Sequence, residues 1–421
     1  MKFTLKLIVS VLLIMSPDIV NAQIIIDHRH TDIIAVPTNW IAVAKQNLHI
    51  AYGHTSHGSQ VISGMGGLVS FANGGGKGLS VPNDFFDWNN GGSGGTLDLH
   101  DYAMGGDVGY FPQWVNNTTN YLDNPANSDV NVVMWSWCGQ VETKYNAGTL
   151  TNDFLAPMSA LEVKYPDVMF VYMTGHVDTD EDTANKAANN LIRQYCSENG
   201  KVLYDFADID RYDPDGTYFE FVNDTCDYYD YIGSPIQGNW AREWEQSHVE
   251  DVDWFDCSSA HSEALNANQK AYAAWALFAR LAGWSGPNFY DCWVTKYFSK
   301  AEYSAGVICG QNDDPDGDGV MNCFEHAFAL NPREKDEVCI NSMSFYSNKF
   351  ELTYRRNKYV PGIDMNILTY TNLLSSPTEI PLSECNSSVS NNLDDTETVL
   401  ISFVDNTASN IFYRLNAETN F

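Results

Sequence analysis

An α/β fold built on a parallel sheet, followed by a small all-β domain, is what this sequence predicts. Three observations carry the prediction. From residue 130 onward, continuous apolar runs (130–135, 168–174 and 202–206) alternate with segments of helical periodicity (154–165 and 183–197). Strands that are apolar on both faces, separated by amphipathic helices, imply a parallel sheet covered on both sides and hence three α/β/α layers. An earlier run, Leu48 to Tyr52, ends in Gly53 and passes through a short polar stretch into a further helical pattern at Val61, Ile62, Met65 and Leu68. Beyond Phe345 the pattern changes to alternation in short runs at 349–354, 365–370, 399–404 and 411–415, as antiparallel strands require.

The N-terminus sets the compartment. Lys2 and Lys6 precede an apolar run, Leu7–Met15, and Val20-Asn21-Ala22 resembles a small-residue cleavage site. The run is too short to span a hydrocarbon core of ~30 Å, so residues 1–22 are expected to be a signal peptide and the protein secreted, with no membrane span. The remainder divides into an α/β domain (23–290), a linker (291–332) and a β domain (333–421). With Asp+Glu 54 against Lys+Arg 23, the formal charge of -31 argues against nucleic acid or an anionic membrane as partner. The 44% hydrophobic and 13% aromatic content excludes general disorder. Nine cysteines in an exported chain imply disulfides, and the odd count leaves at least one without an intrachain partner.

In chain order, 24–34 is β-prone and 74–95 is a glycine-rich loop. Residues 207–260 form an aromatic and acidic excursion, and 266–281 is a strong helix closed by Gly283. Parallel sheets carry their working residues on loops at the C-terminal strand ends. Here that edge comprises 53–59, 136–140, 175–178 and 207–210.

The turn after the first long strand holds His54, Thr55, Ser56 and His57. Ser56 is the candidate nucleophile, because a helix N-terminus offers unpaired N–H groups to a developing oxyanion. Helix capping explains the same serine. His261, just before the last helix, is the candidate base, or else a histidine packed on a loop carbonyl. His54, His57, His100, His176 and Asp178 are candidates for hydrogen bonding to substrate. With Asp98 and Asp101 these histidines form an alternative site for Zn²⁺ or a similar ion, although no pair shows the i, i+4 spacing of ligands on one helix. Gln140 is a candidate oxyanion donor or a loop brace. Cys138 is expected in a disulfide or as a buried thiol rather than as a nucleophile. The aromatics of 212–254 form either a stacking platform for sugar rings or loop packing, with the platform favoured by their density.

Asp314, Asp316, Asp318, Gly319, Asn322 and Glu325 fall at positions 1, 3, 5, 6, 9 and 12 of an EF-hand-type loop. Alternating carboxylates, a glycine for the sharp turn and a terminal glutamate suit Ca²⁺, as a structural ion.

Over roughly residues 45–284, the order of turn, glycines, apolar strand and late histidine resembles the SGNH (GDSL-like) hydrolases. The resemblance implies a flavodoxin-like three-layer fold and ester hydrolysis without a catalytic cofactor. The family's Gly-Asp-Ser block corresponds to Gly53-His54-Thr55-Ser56, with Ser56 as nucleophile and Thr55 the competing register. Its glycine block falls at Gly105-Gly106, so the Gly106 N–H joins the oxyanion hole. Gln140, in Ser-Trp-Cys-Gly-Gln, stands where the family has asparagine. His261 matches the base. The position three before it is Ser258 rather than aspartate, with Asp256 and Asp253 further upstream, so the group that orients His261 is Asp256, a backbone carbonyl or a carboxylate from another loop, with Asp256 as the candidate acid. By the same resemblance the substrate is an acylated extracellular polysaccharide, acetyl being one candidate group. Two alternatives accompany it: a carbohydrate-binding protein on a catalytically silent scaffold, and a metal-assisted or polysaccharide-cleaving enzyme using the histidines. Residues 313–332 resemble the calcium-loop linkers of secreted multidomain bacterial proteins.

Overall fold

The computed structural model describes residues 23–180, 182–287, 289–299, 302, 308–335, 340–346, 349–357, 363–370, 378–381, 385–391, 396–404 and 412–419. The proposed signal peptide, 1–22, lies outside them. Seven parallel strands form the main sheet: β1 (Ile25–Ile26), β2 (His49–Gly53), β3 (Trp88–Asn89), β4 (Leu97–Met104), β5 (Val132–Trp135), β6 (Met169–Met173) and β7 (Val202–Tyr204). Their order is β1-β7-β6-β5-β2-β4-β3, every pairing parallel. Without the two-residue edge strands β1 and β3, the order in chain sequence is 2-1-3-4-5. The winding direction reverses between β2 and β5, and the crevice outside such a switch point is where α/β sheets bind ligands.

Successive side chains of each strand point to opposite faces, and the sheet separates two cores accordingly. Ile50, Tyr52, Val132, Met134, Val171 and Met173 pack beneath α1 (Thr38–Asn47), α2 (Ser59–Asn73) and α9 (Ala264–Leu281). Ala51, Val133, Trp135, Phe170 and Tyr172 pack on the other face. That face is covered by α3 (Gln113–Leu122), α4 (Val141–Asn146), α5 (Ala156–Lys164) and α6 (Asp182–Glu198). The expected three layers are present. The β-prone stretch from Ile24 yields only β1, because Asp27 and Asp32 each accept a bond from the N–H two residues on, 3.1 Å in both cases, and wind two 3₁₀ turns. Short acceptors of this kind compete with the ladder for backbone donors.

Helix α9 is buried around most of its circumference, as a helix lying between a sheet and other helices must be. It approaches α2 so closely that a Cβ on Gly64 would stand 2.0 Å from the Ala267 carbonyl oxygen. Among its buried polar groups is Lys270, whose Nζ lies 2.6 Å from Asp210 Oδ1 and also donates to Gln60 Oε1. Burial pushes the Lys270 pKa down, and Asp210 opposes that shift.

The 207–260 excursion is not a loop. It folds into α7 (Phe206–Ile209), a three-stranded antiparallel sheet of β8 (Phe221–Val222), β9 (Asp227–Tyr229) and β10 (Ile236–Asn239), and α8 (Trp240–Ser247). Its aromatics mostly face inward. Trp240, Trp244 and Tyr212 are buried, with Phe219, Tyr228 and Trp254 packed around Trp240 and Trp244. The density that suggested a sugar platform is the core of this subdomain.

Helix α10 (Phe289–Tyr297) runs through the expected 290/291 boundary. After α11 (Asn322–Phe328), the C-terminal region forms two antiparallel sheets. One orders β11 (Ile340–Tyr346), β12 (Lys349–Asn357), β16 (Thr396–Val404) and β15 (Asn386–Asn391). The other orders β14 (Thr378–Pro381), β13 (Ile363–Tyr370) and β17 (Phe412–Thr419). Phe350, Leu352 and Tyr354 alternate inward along β12. Among the described residues no helix is long and apolar enough to cross a membrane.

Candidate functional site

At the switch point the chain leaves β2 through Gly53, where a Cβ would press on the Trp135 ring at 2.5 Å, and reaches α2 six residues later. A Cβ at Gly58 would meet Ser136 Oγ at 2.2 Å, so glycine lets the turn lie against the end of β5. Among the described residues the N–H groups of Ser56, His57 and Gly58 donate to no protein acceptor. These are the open donors expected where a helix begins.

The turn meets Cys138, on the loop after β5. Ser56 Oγ lies 3.5 Å from Cys138 Sγ, and Cys138 Sγ lies 3.7 Å from His57 Nδ1. On its far side His57 Nε2 donates to Asp224 Oδ2 at 3.2 Å. A carboxylate only accepts, so Nε2 carries the proton and Nδ1 is the free acceptor facing the thiol. Asp224 sits at the tip of the β8–β9 hairpin. The Asn223 side chain shapes that tip, accepting from the N–H groups of Thr225 (3.1 Å) and Asp227 (2.9 Å).

The imidazole of His57 lies between two others. His176 stacks on it at 3.8 Å between centroids, with 5° between planes, and His261 at 4.4 Å and 16°. Burial pushes the His57 pKa below its ordinary value; the Asp224 hydrogen bond pushes back, and the two neighbouring imidazoles push down again. Burial also raises the Asp224 carboxyl, but the His57 bond and the surrounding imidazoles outweigh it and hold the group below the usual range. The arrangement is a neutral base beside a thiol, with an ionised carboxylate behind it.

His176 donates from Nδ1 to the Val177 carbonyl at 2.7 Å, which leaves Nε2 as an acceptor beside Gly139. His261 has a left-handed backbone (φ 62), a strained conformation for histidine. Gln60 and Asn266 hold its loop, donating to the Ala260 carbonyl (2.5 Å) and to Ser262 Oγ (2.7 Å).

The remaining predicted residues are distributed around this centre. Asp256 is exposed, and no hydrogen bond joins it to His261 among the described residues. The loop polar contacts, not an aspartate, position His261. His54 is fully buried with both ring nitrogens taken, Nε2 by Asp101 at 2.6 Å and Nδ1 by the Thr55 carbonyl at 2.9 Å, so neither is open to a substrate. His100 turns to the opposite side of the sheet and bonds to Tyr121 of α3. Asp178 accepts from the Asp180 N–H at 2.9 Å, closing its own turn. Gly106 is exposed with φ 91. Gln140 packs against Gly109 and supports the Asp107 carboxylate, which also accepts from Thr55 Oγ1 at 3.2 Å and Gly109 N at 2.9 Å. Burial still raises the Asp107 pKa.

Cys138, Cys196, Cys226, Cys257, Cys309 and Cys323 carry free thiols, so the disulfides expected of an exported chain join none of these six. Asp224 and the pairing of Cys138 with His57 escape a reading of the sequence. Asp224 has no motif, and 167 residues separate it from His57.

Two groups are worth weighing as metal sites. His57, Asp224 and His261 offer ligand atoms within 4.8 Å of one another. Their fit is poor, because a metal lies in the plane of each imidazole that binds it and the nearly parallel His57 and His261 rings do not converge on one point. Asp314, Asp316 and Asp318 also bring carboxylate oxygens within 4.8 Å. Asp314 accepts from the N–H groups of Gly317 (2.8 Å) and Gly319 (3.0 Å), which winds the loop, and buried Asn322 Oδ1 has no protein donor. This second group fits a hard cation.

Comparison with protein-family models, with curated proteins and with solved structures finds no match to this chain.

Proposed function

We propose that the protein is an acyl hydrolase that cleaves esters through a covalent intermediate, with Cys138 as nucleophile, His57 as base and Asp224 as the group that orients His57. The contact line from Asp224 through His57 to Cys138, at 3.2 and 3.7 Å, carries the reading. His57 takes the thiol proton and the thiolate attacks the acyl carbonyl. Collapse of the tetrahedral adduct forms a thioester and breaks the bond to the leaving alcohol, which takes the proton back from His57. Water, deprotonated by His57, then attacks the thioester, releasing the acid and restoring the thiol. The open N–H groups of Ser56, His57 and Gly58 are suited to hold the oxyanion.

A second reading keeps Ser56 as nucleophile and His261 as base, with Gly106 and Gln140 assisting. Its support is the place of Ser56 in the strand–turn–helix and the 2-1-3-4-5 order of the central strands, which suits an SGNH-like scaffold. Both readings are esterases, and the proposed substrate is an acylated extracellular glycan, in keeping with the signal-like N-terminus and the resemblance to SGNH hydrolases. The Asp314–Glu325 loop binds Ca²⁺ as a structural ion in this proposal.

The test is hydrolysis of p-nitrophenyl acetate combined with peptide mapping after iodoacetamide and after a fluorophosphonate. Iodoacetamide inactivation at Cys138, with loss of activity in Cys138→Ala, supports the thiol. Fluorophosphonate labelling at Ser56 that depends on His261 moves the role to the serine. Absence of turnover and of both labels ends the hydrolase reading.

A further inference from the structure

We propose that the groove between α3 and the end of β4 is a subsite for a neutral sugar chain. The inference rests on the acyl-hydrolase reading and names the polymer that this site would deacylate. The groove is an open surface depression of about 460 Å³, and no residue of the His57 centre lines it. Asn117, Asn120, Tyr121 and Asn124 line it at i, i+3, i+4 and i+7, one face of α3 and its C-terminal turn, with Asn127 just beyond and Ala103–Gly105 as the other wall.

Three of these amides are anchored at one end. Asn117 Nδ2 donates to the Gly105 carbonyl (2.7 Å), Asn124 Oδ1 accepts from Ala126 N (3.1 Å), and Asn127 Nδ2 donates to the Tyr121 carbonyl (2.9 Å). Among the described residues the opposite ends, Asn117 Oδ1, Asn124 Nδ2 and Asn127 Oδ1, and the exposed Asn120 side chain have no protein partner. A fixed mixture of acceptors and donors matches hydroxyl groups, each of which both donates and accepts. Anchoring reduces the ordering cost of binding.

The charge of the groove narrows the ligand. None of its eight lining residues is Asp, Glu, Lys or Arg, in a chain of formal charge -31. A uronate or phosphate would meet no counter-charge among these residues, and Asp98 and Asp129, whose charges act on Tyr121, would repel it. Asn117 to Asn124 covers about 10 Å of helix, longer than one sugar ring. Next to Ala103 in the chain is Tyr102, a residue 57% exposed whose ring lies tilted by 37° against His54, 4.0 Å between centroids. Tyr102 also has a left-handed backbone (φ 50), a strain that functional sites tend to hold. Its open ring offers a surface for the C–H face of a pyranose. From Gly105 the same segment leads to Asp107, which bonds to Thr55 in the turn. The strand end that walls the groove is thus continuous in the chain with the residue that braces the Ser56–His57 turn.

Isothermal titration of the full-length protein with xylohexaose, cellohexaose, mannohexaose and hexagalacturonate tests the proposal. At least one neutral hexaose is expected to bind and the acidic one not to. Affinity for the neutral ligand should fall at least tenfold in Asn120→Ala and further in Asn120→Ala/Asn124→Ala. The Asn120 side chain is exposed and makes no hydrogen bond among the described residues, so its replacement breaks none of these. The proposal is overturned if no neutral hexaose binds, if binding survives both substitutions, or if hexagalacturonate binds equally well. Hydrolysis of p-nitrophenyl acetate by the wild-type protein examines the chemistry alone, so a failure of the groove and a failure of the hydrolase reading give different results.

Discussion

Asp224 reaches across 167 residues of chain to place Oδ2 3.2 Å from His57 Nε2, and this contact decides which nitrogen of His57 faces the Cys138 thiol. Replacing Asp224 with Asn removes the charge that steadies the imidazolium and permits the wrong tautomer. We expect kcat/KM for p-nitrophenyl acetate in Asp224→Asn to fall by about 10²–10⁴, with an unchanged circular dichroism spectrum. A variant that retains full rate would rule out His57 as the base.

His261→Ala separates the two histidine roles by pH. As the proposed base, His57 would act when neutral, so the rate should rise with pH as His57 loses its proton. Burial and the neighbouring imidazoles lower the His57 pKa, which places this acid limb below its ordinary value of about 6.5. Removing His261 removes one of those downward influences, so the limb of kcat/KM should move to higher pH while the plateau persists. Loss of activity at every pH would instead identify His261 as the base.

The Lys270–Asp210 pair is fully buried at 2.6 Å, beneath the loop that carries His261. Lys270→Met leaves Asp210 buried without its cation. Removing one partner of such a pair costs about 3–5 kcal/mol, and urea denaturation should show a loss of that order. A change under 1 kcal/mol would mean that the neighbouring groups compensate for the charge.

Gly64 is held to glycine by contact with a helix rather than by its own dihedrals. A methyl there would meet the Ala267 carbonyl at 2.0 Å, and α2 would have to move away from α9. Gly64→Ala should lose about 1–3 kcal/mol and lower Tm. An unaltered melt would show that the α2–α9 contact yields easily.

Calcium is tested by binding and by stability. If the Asp314–Glu325 loop holds Ca²⁺, a ligand at 100 times its Kd stabilises the folded state by about 2.7 kcal/mol. Tm of the region that unfolds with this loop should rise with added Ca²⁺ and drop with chelator. In Glu325→Gln the Ca²⁺ affinity should fall at least tenfold. A melt insensitive to Ca²⁺ and chelator, with no heat of binding, would leave the loop as a self-bonded turn.

The sequence by itself determined the class of fold and the edge at which to look. Val132–Trp135 and Met169–Met173 are apolar on both faces, and only a sheet covered by helices buries such strands, so the parallel sheet was legible without coordinates. The same local logic located the turn at Ser56 and His57, the histidine before the last helix, and the β alternation beyond Phe345. Tertiary structure alone decided which of these side chains meet. Whether His57 or His261 faces a nucleophile depends on the β5 loop bringing Cys138 to the turn and on the β8–β9 hairpin presenting Asp224, and no periodicity encodes either approach. The aromatic density of residues 212–254 misled for a related reason: composition registers apolar area, whereas only packing shows that Trp240 and Trp244 spend it on a core of their own. Local pattern is written in neighbouring residues. A site assembled from three distant loops is a property of the folded chain.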